Sequence, residues 1–366
     1  MKRLETWIYG VLLVVTLGLA WGIRTGEDVV EKSDAVVFDP GAGGITVMKW
    51  AGEREVATIE VSGKGDDLAT WVTAGKRARI ETPAAGDDDD SAQGDDDDSG
   101  DAEASQPAPE TEVTYGEPVL RSFPGNATAQ KLVESFSPLT ALREFDSLDA
   151  SALEQMGLAD PKGSLEVEAS SGTVRFDVGE KAYGSSDTYV RDSASGKVYL
   201  VASKDLSPLR GAENRLVERK LTTFEEGDVT EVQLSVQGAP AGPKRLHQGR
   251  HDKNNSFWSL AESPEDQDTV FGGFLDKVLQ LRASTYPTAD EAVDDATVEE
   301  VFGVEFSGEA GALDTLRLGR VKDTERSTDD EIVWKYVAQT QRTRQWVIVS
   351  KATASDLADQ FLQVVE

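Results

Sequence analysis

Gly44-Ile45-Thr46-Val47-Met48-Lys49-Trp50 alternates in the manner of a half-buried strand, and residues 229–236, Val-Thr-Glu-Val-Gln-Leu-Ser-Val, repeat the pattern far downstream. Working outward from this pair, each strand is followed by a second one, at residues 57–61 and 244–248. Next comes a tryptophan in a similar setting, Ala69-Thr70-Trp71-Val72-Thr73 and Ser256-Phe257-Trp258-Ser259-Leu260. A helix is predicted after each. Ala129, Leu132, Val133, Phe136 and Leu139 recur at helical spacing, as do Phe271, Phe274, Leu275, Val278 and Leu281. Asn126 and Asp268 are the expected N-caps, and Pro138 should end or kink the first helix.

The likeness continues past the helices. Met156-Gly157-Leu158 matches Phe302-Gly303-Val304, and Thr188-Tyr189-Val190 matches Lys335-Tyr336-Val337. Val198-Tyr199-Leu200-Val201 matches Trp346-Val347-Ile348-Val349. Conserved element order with slowly drifting spacing reads as a tandem duplication. Short turns at Ser170-Ser171-Gly172 and Ala194-Ser195-Gly196 make the strands on either side hairpins, so the pairing is antiparallel. The expected fold class is α+β: an N-terminal transmembrane helix followed by two tandem copies of an antiparallel-sheet-plus-helices module. The expected boundaries are 1–30 for the cytoplasmic N-terminus and anchor, 31–226 for the first copy and 227–366 for the second.

The first copy is longer because it holds an acidic tract at about 81–113, with Gly-Asp-Asp-Asp-Asp-Ser at 86–91 and again at 94–99. Such self-repelling, apolar-poor sequence cannot offset the entropy of ordering and is expected to be a disordered surface insertion. Adjacent aspartates lack the alternating ligands of a calcium loop.

Across all 366 residues, 37 Lys and Arg stand against 67 Asp and Glu, a net charge of -30 that argues against nucleic acid as a partner. There is no cysteine, which removes disulfides, thiolate metal sites and cysteine nucleophiles. Lys2 and Arg3 precede an uncharged run in which Trp7, Ile8, Leu12, Leu13, Val14, Val15, Leu17, Leu19, Trp21 and Ile23 form the expected anchor. The run can approach the ~30 Å hydrocarbon core of a bilayer. By the positive-inside rule it places the N-terminus in the cytoplasm and the bulk outside, in a single pass of the membrane. Gly18-Leu19-Ala20 leaves a cleaved signal peptide as the competing reading.

Gly157-Leu158-Ala159-Asp160-Pro161, Tyr189-Val190, Arg215-Leu216-Val217-Glu218-Arg219 and Trp258-Ser259-Leu260 with Pro264 resemble the family catalogued as domain of unknown function 4340. The resemblance extends over roughly 40–290. Gly157, Leu158, Pro161, Tyr189, Trp258 and Pro264 are its motif positions, with structural roles expected. The resemblance implies a membrane-anchored periplasmic accessory protein, with ABC transporter permease and auxiliary subunits as partners. It implies no catalytic residue and no cofactor.

Other chemistry is thinly represented. The only two histidines, His247 and His251, flank Gly249 in a strand-to-turn setting and read as a surface pair rather than a metal site. Gly41-Ala42-Gly43-Gly44 lacks the Lys-Ser/Thr ending of a phosphate loop and leads into a strand. No Gly-x-Ser-x-Gly elbow occurs. The expected function, as the family resemblance implies, is that of a non-catalytic accessory protein of an ABC transport or envelope complex, at a bacterial inner membrane and facing the periplasm. The alternative is a glycan- or small-ligand-binding module that uses Trp71 and Trp258.

Overall fold

The computed structural model describes residues 35–83, 111–250, 252, 255–328 and 331–365. The alternation at Ile45 produces β2 (Ile45–Gly52), which buries Ile45, Met48 and Trp50 and turns Thr46 and Lys49 to solvent. It pairs on both sides, with β3 (Glu55–Ser62) and β8 (Gly163–Ala169), at the centre of a nine-stranded antiparallel sheet. β4 (Ala69–Pro83) and β5 (Thr111–Pro124) complete one side. β9 (Gly172–Lys181), β10 (Thr188–Asp192), β11 (Val198–Val201) and β7 (Arg143–Phe145) complete the other. Both expected hairpins form here, β8 with β9 and β10 with β11.

The second large sheet is centred on β12 (Glu231–Val236), which pairs with β14 (Arg245–Gln248) and β18 (Glu299–Gly308) and carries the short β13 (Ala239–Pro240). β15 (Phe257–Leu260) and β16 (Ser263–Gln267) continue one side. β19 (Gly311–Lys322), β20 (Trp334–Gln339), β21 (Val347–Val349) and β17 (Ala283–Thr285) continue the other. The order β5-β4-β3-β2-β8-β9-β10-β11-β7 is matched, position by position, by β16-β15-β14-β12-β18-β19-β20-β21-β17.

The helices start where the caps predict. Asn126 accepts from the amides of Thr128 and Ala129 at the head of α1 (Ala127–Ser135), and Asp268 accepts from Phe271 at the head of α5 (Thr269–Gln280). Three short helices, α2 (Ala150–Gln155), α3 (Ser203–Leu206) and α4 (Ala212–Arg215), lie between them. α1 stops at Phe136, two residues before Pro138, so Leu139 belongs to β6 (Leu139–Thr140) rather than to the helix. β6 pairs with β1 (Val36–Phe38) as a third, two-stranded sheet.

These observations correct the expected fold class. Strand makes up 46% of the described residues against 20% helix, and there are three sheets rather than two sheet-plus-helices modules behind a membrane helix. The physical reason is that hairpins with short turns add strands cheaply, whereas few segments hold helical spacing for more than two turns. The two large sheets also share a single apolar cluster, from Phe38 in β1 to Val364 near the C-terminus, so they are not built as two separate cores.

No helix among the described residues is long and apolar enough to cross a membrane. α6 (Lys351–Val365), the longest of them at 15 residues, is amphipathic and turns Ala354, Leu357, Phe361 and Val364 into the core. The expectation of a single-pass inner-membrane protein is corrected to this extent: none of the described helices is a membrane span. The anchor residues Trp7 to Ile23 lie outside the described residues, and so does most of the acidic tract. The ends of that tract depart from the disorder expected of it. Glu81, Thr82 and Pro83 pair with Val113, Glu112 and Thr111 as the outermost rungs of β4 and β5.

The core of the second sheet centres on Phe274, which is 1% exposed and packs its ring against Phe271, Phe302 and Phe361 at 6.4, 5.4 and 6.4 Å. Phe274→Ala should lower stability by about 3–5 kcal/mol, measured by urea unfolding.

Candidate functional site

β4 and β5 are 15 and 14 residues long, while their neighbours β2 and β3 have 8 each. β3 accompanies β4 only from the Ser62–Ala69 pair to the Glu55–Lys76 pair. The Arg77 amide still donates to the Arg54 carbonyl in the turn before β3, and past it the described residues of β4 and β5 pair with each other alone, out to Pro83 opposite Thr111. The register slips between Arg77 and Arg79, a bulge that twists the ribbon. The burial pattern changes at the same place. Val72, Ala74 and Gly75 are buried, whereas Lys76, Ala78, Arg79, Ile80 and Glu81 are exposed.

The ribbon is unusual in what it exposes. Ile80, Val113, Val119 and Leu120 are 49, 37, 57 and 42% exposed, a concentration of apolar surface on one narrow element. β5 is also a sheet edge. Among the described residues its free side is met only near the buried end, where Arg121 bridges Thr288, the Ser122 carbonyl accepts from Gln345 and the Pro124 carbonyl accepts from the Glu218 amide, so the stretch from Thr111 to Leu120 presents an open edge. Pro118 is tolerated because an edge strand does not need every amide. Sequence reasoning missed this element because it assigned residues 81–113 to the disordered tract. The signal was present in Thr111-Glu112-Val113-Thr114-Tyr115, which is rich in β-branched and aromatic residues.

At the base of the ribbon, β5 forms a seam with the second sheet. The Arg121 guanidinium donates from Nε to Glu213 at 3.1 Å, and from Nη1 to the Tyr286 carbonyl at 2.7 Å and to Glu291 at 2.9 Å. Next to it, the Phe123 and Tyr286 rings lie 5.8 Å apart, and the Tyr286 hydroxyl donates to the Glu218 carbonyl. Burial pushes the Tyr286 phenol up, so it stays protonated as a donor. Gln345 donates to the Ser122 carbonyl, and the Arg344 guanidinium lies 4.3 Å from the centre of the Trp71 ring. The backbone amide of Thr288 and the Arg121 guanidinium hold the Glu291 carboxyl below the usual carboxylate range.

The motif positions fall elsewhere and are mainly structural. Gly157 has a φ of +66°, and a Cβ there would meet Glu180 at 2.7 Å, so glycine is required twice over. Leu158 is fully buried, Pro161 half-buried and Pro264 exposed on β16. The Tyr189 ring lies 5.9 Å from that of Phe145. Trp258 is 3% exposed, stacks on His247 at 4.4 Å, meets Phe271 edge-on and donates its indole N–H to Glu226. His247 is thus a core residue rather than one of a surface pair, while His251 lies outside the described residues.

Residues 125–301 match the family model of DUF4340, a domain of unknown function. The DUF4340 span contains all six motif positions, and it begins at Gly125 rather than near residue 40. It therefore takes in α1 through β17 and the start of β18, and leaves out β1–β5. The ribbon lies outside the DUF4340 match, while Glu213, Tyr286 and Glu291 of the seam lie within it. No curated protein and no solved structure matches the chain.

Removing Arg121 would leave Glu213 and a buried carbonyl without their donor. Arg121→Ala should cost about 2 kcal/mol in urea unfolding, in the range for hydrogen bonds to charged groups. The seam should also respond to acid. Because the folded pKa of Glu291 is depressed, its contribution is complete above the unfolded value of about 4.3 and is lost as pH falls through the folded value. Glu291→Gln should flatten that part of the stability–pH curve.

Proposed function

We propose that this protein is a non-catalytic accessory protein that docks onto a protein partner through the β4–β5 ribbon. The observation that carries this reading is the exposure of Ile80, Val113, Val119 and Leu120 on a ribbon whose β5 edge is open. A two-stranded ribbon with both faces in water is marginal by itself, so apolar side chains on it gain little until a second surface covers them. The unpaired edge of β5 offers backbone groups to an added strand, a common mode of peptide recognition. On the β4 side Arg79 is paired with Glu81 at 3.1 Å and Lys76 reaches Glu55 at 3.8 Å, which leaves Arg77, without an ion pair among the described residues, as the cation open to an acidic group on the partner.

The partner class follows from the DUF4340 resemblance, which implies subunits of an ABC transport complex. The ribbon itself owes nothing to that match, so its role is a property of this chain. Docking would then be read by the ribbon, while the seam at Arg121 transmits the load to the second sheet.

The test is co-elution with co-expressed ABC permease and auxiliary subunits. Ile80→Asp with Val119→Asp alters exposed positions and should leave the unfolding midpoint nearly unchanged. The same double variant should abolish co-elution, and undiminished co-elution would overturn the ribbon reading. Replacing residues 84–110 with Asn-Gly closes the ribbon as a hairpin and should retain both cooperative unfolding and co-elution.

A further inference from the structure

A cavity of about 400 Å³ opens at the base of the ribbon, where the turn between β2 and β3 meets β8, β9 and the loop between α3 and α4. Trp50 lines it. This side chain is 5% exposed, and its indole Nε1–H has no hydrogen-bond partner. Two glycines flank the ring. A Cβ at Gly52 would sit 3.3 Å from Nε1, and one at Gly163 would sit 3.0 Å from the far edge of the indole. Neither glycine has a positive φ, so the backbone does not demand them. Their consequence is that no neighbouring side chain covers the indole from these two positions.

The wall charges are equally distinctive. Arg54, Lys162 and Arg210 all line the cavity, and none forms an ion pair with a described residue. Lys76, the fourth cation, reaches Glu55 only at 3.8 Å, and the other oxygen of Glu55 is already engaged by the Gly211 amide. Glu53 and Glu180 also line the cavity without taking up these cations. In a chain with 67 acidic against 37 basic residues, three cations on one cavity wall without an ion pair among the described residues are unexpected from composition alone.

We propose that this cavity binds a compact anion carrying two or more phosphate or carboxylate groups. The guanidinium forks of Arg54 and Arg210 suit bidentate oxygen pairs, and Lys162 and Lys76 supply point charges at the rim. A ligand oxygen entering beside Gly52 accepts from the Trp50 indole, which satisfies a donor that is otherwise buried at a cost. The volume falls within the range of ligand sites, about 300–1,000 Å³. The cavity draws residues from both sides of the DUF4340 boundary at Gly125, with Trp50, Arg54 and Lys76 before it and Lys162 and Arg210 after it. The site is therefore a property of this chain's assembled sheet and stands independently of the ribbon's docking role.

Pyrophosphate and citrate are the probes, titrated into the full chain at neutral pH against sodium chloride of matched ionic strength, with thermal unfolding and calorimetry as readouts. We expect a saturable rise in midpoint with at least one of them. Pyrophosphate alone would identify a phosphate ligand, and citrate alone a carboxylate. Arg54→Gln with Arg210→Gln should weaken binding by about tenfold or more. Lys131→Gln with Lys351→Gln, an equal loss of charge at exposed positions away from the cavity, should not. Trp50→Phe removes the donor and keeps an aromatic floor; should it fail to fold, the two charge variants still decide the question. The absence of a saturable shift with either anion, or equal weakening in the cavity and control variants, would overturn the proposal.

Discussion

Arg121 bonds to Glu213 on one side and to the Tyr286 carbonyl and Glu291 on the other, so that polar contacts tie together two large sheets that already share one apolar cluster. A guanidinium suits this position. Its donors diverge in a plane and so can satisfy acceptors on α4 and on the segment between β17 and β18 at once, which an ammonium on a flexible stem would do less precisely. Around it, Phe123, Tyr286 and Trp71 supply apolar area, and the Tyr286 and Gln345 side chains tie up backbone carbonyls that burial would otherwise strand.

The same strand that carries Arg121 also carries the ribbon. β5 is exposed at Val113 and buried at Phe123 and Pro124, so its environment changes completely along one strand. Anything bound to the outer part is connected to the seam through one uninterrupted, hydrogen-bonded strand. Lys76 stands at the corner of this arrangement. It is the last residue of β4 paired with β3, the first exposed residue of the ribbon, and part of the cavity wall around Trp50. Electrostatic events in the cavity and contacts on the ribbon are therefore neighbours in space, separated by the reach of one side chain.

Much of the sheet framework was legible in the residues. The alternation around Met48, the hairpin turns at Gly172 and Gly196, and the capping side chains Asn126 and Asp268 all act over a few positions, where local physics decides. The pairing partners beyond these hairpins did not follow from such local signals, and neither did the balance of strand and helix. Leu139 continues a helical spacing yet sits in a strand, because Pro138 ended the helix and Val36 and Phe38 offered an edge from far up the chain. His247 looked like a surface residue by its polarity and is buried, because its Nδ1–H donates to the Val229 carbonyl at 3.1 Å and Trp258 covers its ring.

What the sequence determined by itself is local: where strands alternate, where helices begin, which turns are tight, and that the chain is strongly acidic and free of cysteine. Only the tertiary structure decided that β4 and β5 outrun their sheet, that Arg121 joins the two sheets, and that Trp50, Arg54, Lys162 and Arg210 converge on one cavity. The reason is physical. A local signal is set by residues a few positions apart, whereas an edge, a seam or a cavity exists only once segments more than a hundred residues apart have packed, and no residue in those segments carries the mark of its eventual neighbour.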